Sequence, residues 1–420
     1  MLQRTSPFHD APTYSLAERD RRWALANRLM EAEGLDALLV YGDRELAFPA
    51  GFAPDTWFTN DRPGSIVILP KDREPIAVVF LPTVVEDHIQ AAHSGKTGWL
   101  RAENIHVGTM GSNVAQILQD RDLGKATIGV VGHGFYPPFY FDGAMPWNTW
   151  QSIVEDVPEA RFRDVGSQFR ELTAVKSEEE LAVLRWSADV GEKMCAAMRD
   201  ATAPGVPENE IYAAAMYTAH ANLAFTTEIL LGSGPDYVGW GPPAWTYRPE
   251  PPRVIEAGDV VLSEVFCSFG MLETQHQPAI AVGEVHADFD RAAEAARASY
   301  EAGVAALKTG NSFGDVVEAM KVPMRAVDAW HVHPLVHSMN PFGLIGTGER
   351  MADLPEAGRY AQVFNIPTVG VETELKPGMT FALEPNAAIG RRVVNLGGTV
   401  IVGQERGIEL NEIATHLIRV

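Results

Sequence analysis

Residues 256–283, EAGDVVLSEVFCSFGMLETQHQPAIAVG, hold the run DVVLSEVFCSF and all but the last two residues of the run QPAIAVGEV, both rich in β-branched and aromatic residues. Such runs predict strands. Two more of the same character follow, MTFALEP at 379–385 and GTVIVGQ at 398–404. Helical stretches lie around them, ENEIYAAAMYTAHANL at 208–223 and DFDRAAEAARASYEAGVAAL at 288–307. Long helices with mostly antiparallel strands make an α+β arrangement for this half of the chain.

Upstream, a helix whose apolar residues recur every three or four positions starts near Ser15 and runs into the short buried strand DALLVYG. Strands are predicted at GSIVILP, PIAVVFLP and ATIGVVGHG, so this part reads as one α/β domain. Ser177 with Glu180 three residues later forms a capping-box pattern that starts a long helix. The expected domains are 1–168 and 169–420.

With 46% hydrophobic and 21% charged residues, the 420-residue chain is expected to be globular. No apolar run approaches the roughly 18 residues a membrane span needs. A formal charge of -21 opposes nucleic acid and anionic lipid and suits small neutral or cationic ligands. Two cysteines, Cys195 and Cys267, are too few for a disulfide framework or a thiolate zinc site, and a cytoplasmic location is expected.

Four stretches in order resemble the creatinase/aminopeptidase P/methionine aminopeptidase superfamily, the pita-bread, peptidase M24-like fold. They are GLDALLVYGDRELAFPAGF (34–52), FRELTAVKSEEELAVLRWSADV (169–190), the opening stretch, and LKPGMTFALEPN (375–386). The resemblance implies a creatinase-like N-terminal α/β domain, a C-terminal pita-bread domain with a curved antiparallel sheet, and a homodimer.

It also implies where the site lies. Metal-dependent relatives carry an acid near the start of the strand pair and an Asp eleven positions on; here these positions hold Glu264 and Gln275, with His276 adjacent. The glutamate of the later strand matches Glu384, and the last family ligand falls on Gly397, which has no side chain to offer. A carboxylamide binds a divalent ion through one neutral oxygen, so the charge that holds a metal pair together is reduced. The family's ligand histidine falls within HVHPLVHSMNPFG (331–343), where His337 or His333 takes the place. On a strand, His331, His333 and His337 would share one face.

Glu264, Glu384 and a histidine, with His276, His333 and His337 as candidates, are the parts of a metal-free proton-transfer site. The loop GSGPDYVGWGPPAWTYRPEPP lacks the histidine that relatives place there; Trp240, Trp245 and Tyr247 would give an aromatic wall against a flat or cationic ligand, or pack the loop onto its own domain. In GFAPDTWFTNDRPG, Trp57, Phe58 and Arg62 are candidates to bind substrate in the partner subunit, or form a turn with no role.

The leading expectation is a hydrolase of a C–N bond in a small amidine, amide or lactam-like compound, without metal and with Gln275 among the substrate-binding groups. One alternative is a single-metal Xaa-Pro-type peptidase or small-molecule lyase, with manganese, iron or zinc on Glu264, His276, His337 and Glu384. Another is a non-catalytic peptide-binding protein. Nucleic acid and membrane are not expected as partners.

Overall fold

The computed structural model describes residues 10–42, 52–95, 98–133, 143–226, 228–332, 334–360 and 366–420. The chain divides into two compact units, Thr13–Ala174 and one that includes Val175–Val420. No helix among the described residues is long and apolar enough to cross a membrane.

In the first unit a six-stranded mixed sheet has the order Ile105–Val107, Ile76–Val79, Ile66–Pro70, Ala37–Tyr41, Thr127–Val131, Arg161–Asp164. Along the central strand Ala37 and Leu39 enter one core cluster while Leu38 and Val40 enter another, so the sheet is buried on both faces. Helix Leu16–Glu33 starts where the Ser15 hydroxyl accepts the Glu18 N–H and stops at Gly34, whose φ of +64° only glycine takes easily.

Trp57 and Phe58 are corrected here from candidate substrate contacts to core. Both are buried on the short helix Pro54–Thr59 and pack against Phe169, Trp57 edge-on at 5.5 Å and Phe58 stacked at 5.7 Å. Large aromatic rings contribute most when desolvated, and this turn had enough apolar surface to be drawn inward. Arg62 remains half-exposed, with Asp61 and Asp87 occupying its guanidinium.

The second unit is built on a ten-stranded sheet. Its main path runs Ile345–Gly346, Val336–Met339, Thr380–Leu383, Gly398–Ile401, Leu272–His276, Val260–Phe269, Ala279–Ala281, Leu417–Arg419. Neighbours are antiparallel except the last pair. Ile229–Gly234 adds a strand beside Val260–Phe269. The Ser177–Glu180 capping box is present and starts helix Glu178–Ala201. That helix and Glu208–Ala221 cover one face of the sheet, where Val261, Val265, Cys267, Ile229 and Leu231 form a core with Val190, Met194 and Ile211. Helix Phe313–Ala326 was not predicted; Pro323 inside it obscures the pattern, while a Ser312–Asp315 capping box starts it.

Alternation then fixes which side chains face the other way. Val265 pairs with His276 and Phe266 with Gln275, so Glu264, Phe266, Glu273 and Gln275 share the face away from the helices.

Candidate active site

Four strands bring the site together. Glu264 sits on Val260–Phe269, Gln275 on Leu272–His276, His337 on Val336–Met339, and Glu384 directly after Thr380–Leu383. All four are buried.

His337 fixes the protonation of the group. Its Nδ1 lies 2.9 Å from the Ser338 carbonyl oxygen, which can only accept, so Nδ1 carries the hydrogen. Burial pushes the imidazole down to about 4, partly offset by that bond, so the ring is neutral at pH 7. The Nε2 lone pair therefore faces Gln275 Oε1 at 3.1 Å and Glu384 Oε1 at 3.3 Å. A lone pair against two oxygens needs a proton between them. Burial, then the nearby Glu264 charge, raises the Glu384 carboxyl well above its usual range, so Glu384 holds that proton and donates it to His337. The contact is a neutral acid–imidazole hydrogen bond.

Glu264 is held differently. Its Oε1 accepts from Trp240 Nε1 at 3.0 Å and from Asn395 Nδ2 at 3.4 Å, which leaves Oε2 unengaged by either. Burial lifts its carboxyl to about 7, and the two donors oppose that lift by favouring the charged form. Glu264 is thus the carboxyl that ionises first and Glu384 the one that keeps its proton. Environments that push two carboxyls apart separate a base from an acid.

The backbone leaves no room for a further ligand at Gly397. Its φ is +119°, its N–H donates to Ala414 O at 2.8 Å, and its carbonyl accepts from Gln277 N at 3.1 Å. A Cβ there would land on the Leu383 carbonyl oxygen. Gln275 offers one neutral oxygen already turned to His337, while its Nε2 lies 3.3 Å from Glu273 Oε1. Among the described residues no three His, Cys, Asp or Glu side chains gather as a metal-binding group. The residues therefore do not fit a centre of two bridged ions.

Several expectations are corrected. His276 is not at the site: next to Gln275 on a strand it points to the opposite face, where Nδ1 lies 3.4 Å from Glu192 Oε1 and a Cβ on Gly191 of the covering helix would strike its ring. His331 lies outside the strand, which spans only Val336–Met339, and its Nε2 accepts the Gly348 N–H at 2.8 Å. The shared-face expectation for the histidines thus fails at His331, and His333 lies outside the described residues. No three-ring wall forms. Trp240 is buried as the Glu264 donor, Trp245 packs edge-on against Tyr212 at 5.3 Å, and Tyr247 is 74% exposed with its hydroxyl 3.3 Å from Glu228 Oε1.

Glu273, Gln277 and Asn395 were missed. Glu273 and Gln277 lie two residues either side of Gln275, so strand alternation alone would have put them on the same face. Gln277 Nε2 donates to Glu384 Oε2 at 3.1 Å. Asn395 arrives from the hairpin Asn386–Asn395, and nothing local in the sequence points to it.

Glu273 supplies a stability prediction. Burial raises its carboxyl to about 8, against a bond from Gln275 that lowers it. The folded state then holds a proton that the unfolded chain has released between about pH 4.5 and 8. The stability contribution is present below the unfolded value and is lost as pH rises through that window, levelling above about 8. Glu273→Gln is expected to remove this slope, with a gain over the parent on the order of a few kcal/mol at pH 8 and little at pH 5. Urea melts at both pH values check it; equal gains at both would contradict the assignment.

Comparison with known proteins gives three findings. The sequence profile of metallopeptidase family M24 matches residues 182–412, more than half the chain. The chain is 22% identical over 394 residues to the ectoine hydrolase of Halomonas elongata, covering 87% of this chain and 88% of that one. Among solved structures it is similar to a prolidase from Thermococcus sibiricus (15% identity, 97% and 100% of the two chains covered, TM-score 0.68). It is also similar to the dipeptidase PepE from Mycobacterium ulcerans (18%, 97% and 99%, TM-score 0.67) and an Xaa-Pro dipeptidase from Bacillus anthracis (17%, 96% and 100%, TM-score 0.66). At these identities the structures establish the fold, which is the pita-bread architecture after an α/β N-terminal domain.

Proposed function

The chain belongs to metallopeptidase family M24, and from that premise we propose that it hydrolyses a C–N bond of a small amidine, amide or lactam-like compound by proton transfer between its own carboxyls and imidazole. The observation that carries this reading is the protonated Glu384 bonded to neutral His337 beside an ionisable Glu264; the resemblance adds that Gln275 and Gly397 fall where two family ligands are expected. Similarity to a hydrolase over nearly the whole chain supports an enzyme rather than a binding scaffold.

In this reading ionised Glu264 takes a proton from water as the water oxygen bonds to the substrate carbon. The C–N bond then breaks, and the proton held between Glu384 and His337 passes to the leaving nitrogen. Glu264 returns its proton to Glu384 and His337 through solvent, which closes the cycle. Acid and base transfers of this kind each contribute roughly 10²–10⁴-fold.

A second reading has one observation in its favour. The His337 Nε2 lone pair, Glu384 Oε1 and Gln275 Oε1 converge, and imidazole with carboxylate and amide oxygens suits a single manganese, iron or zinc ion. His276, once a candidate ligand, is excluded from that set by its face.

The test is turnover of small C–N substrates before and after dialysis against a chelator, with elemental analysis of the parent and His337→Ala. Full activity after chelation, with no stoichiometric ion in either protein, is expected. Loss on chelation with recovery by one ion, and an ion absent only from His337→Ala, would move the single-metal reading to first place.

A further inference from the structure

Behind the site strand a second set of polar groups is buried, on the face that the helices cover. His276 has no exposed surface, and both its ring nitrogens are engaged. Nδ1 lies 3.4 Å from Glu192 Oε1 and Nε2 lies 3.3 Å from the Thr274 hydroxyl. Glu192 Oε2 accepts the Ile413 N–H at 2.8 Å. Burial alone would raise the Glu192 carboxyl, but the His276 contact and that N–H bring it below its usual value, so it is a carboxylate and Nδ1 carries the hydrogen. Ser187, on the same helix as Glu192, lies 3.4 Å from the Thr274 hydroxyl and donates to the Cys267 carbonyl oxygen at 2.6 Å. A buried network satisfied in this way stiffens what it joins.

The backbone shows why the strand needs such an anchor. Leu272–His276 meets Gly398–Ile401 through a single residue pair, His276 with Gly398. Beyond it the Thr399 hydroxyl and the Gly397 carbonyl stand in for further rungs, accepting the N–H groups of Gln275 and Gln277. Gly191 is a second sign. A glycine inside a helix destabilises it relative to alanine, and here the absent Cβ leaves the space that the imidazole fills.

We infer that Glu192 and His276 are positioning residues for the reaction: by fastening the site strand to helix Glu178–Ala201 from behind, they hold the Gln275 and Gln277 amides against the His337–Glu384 pair. Those amides project from the other face, Gln275 Oε1 at 3.1 Å from His337 Nε2 and Gln277 Nε2 at 3.1 Å from Glu384 Oε2. Alternate side chains of one strand move together, so a shift at His276 displaces both amides at once. The inference rests on the reading of His337 and Glu384 as the reacting pair.

The test compares His276→Phe, His276→Asn and Glu192→Ala with the parent on the full chain. Phenylalanine keeps the ring and removes both nitrogens; the asparagine amide returns a donor at the place of Nδ1. Urea melts show that each variant is folded, kcat and KM are measured on a small C–N substrate, and NMR follows the His337 ring, whose signals are identified by their loss in His337→Ala. His276→Phe and Glu192→Ala are expected to lower kcat by roughly tenfold to a hundredfold at near-parental KM and to move the His337 signals. His276→Asn should recover both to within about threefold of the parent. Parental kcat with unmoved His337 signals in His276→Phe and Glu192→Ala overturns the inference, as does an equal loss in His276→Asn and His276→Phe. Should His276→Phe not fold, Glu192→Ala, at a partly exposed carboxylate, decides by the same readings. Signals that move in a protein hydrolysing no C–N substrate would remove the hydrolase and leave the positioning role. Turnover of C–N substrates indifferent to both residues would do the reverse.

Discussion

Glu384→Gln is expected to lower kcat by roughly 10²–10⁴-fold while the protein folds as before. An amide of the same shape keeps an oxygen for the Gln277 Nε2 donor, so the packing survives. What it cannot keep is the proton. In the parent, the Glu384 carboxyl is protonated against the His337 lone pair, and the substituted amide can donate a hydrogen bond there but cannot release a proton to a leaving nitrogen. The loss should fall on kcat rather than KM, since the group acts on the departing atom and not on the ground state. The pH dependence supplies a second reading of the same pair. Glu264 must be ionised to accept the water proton, so kcat/KM of the parent should rise with pH and level above about 7, the value to which burial lifts that carboxyl. Glu264→Gln should lose both the activity and that limb. A Glu384→Gln variant that turns over at the parental rate would remove Glu384 from the chemistry, whatever the remainder of the site does.

Gly397→Ala is expected to destabilise the second unit by about 2–5 kcal/mol, from backbone strain at a positive φ together with overpacking. The glycine lies at φ +119°, its N–H and carbonyl are both bonded, and the space a Cβ needs is filled by the Leu383 carbonyl oxygen with the Tyr300 ring beside it. Relief would require moving the strand that ends at Leu383 and so carries Glu384 into place. Gly397→Glu, which puts back the acid that metal-dependent relatives are expected to carry, should yield little folded protein for the same reason. Urea denaturation of Gly397→Ala and the soluble yield of Gly397→Glu check this. A well-folded Gly397→Glu that binds a divalent ion stoichiometrically would show that the metal centre was lost through one residue. The geometry says instead that the backbone has closed over the position.

The fold was largely legible. Runs of β-branched residues marked the strands at 259–269, 379–385 and 398–404, and the Ser177–Glu180 pair marked the long helix, because these signals depend on residues close in sequence. Gln275 was also legible as a site residue, since its place is set by spacing along a single strand and the fold brings it beside His337. The aromatic residues were not. Trp57, Phe58 and Trp240 have the composition of a binding surface and the same composition as a core, and periodicity cannot separate the two in a short turn or loop. Burial did, placing two against Phe169 and the third on Glu264.

The sequence by itself determined the family and the strand runs around Glu264 and Glu384. Only the tertiary structure decided which polar groups face each other. Gln275 and His276 are neighbours in the chain, yet one meets His337 and the other Glu192, because alternation sends them to opposite faces and only the covering helices say which face is filled. Protonation was decided the same way: a carboxyl's affinity for its proton depends on desolvation and on charges brought near by strands more than a hundred residues apart, as Glu264 is from Glu384.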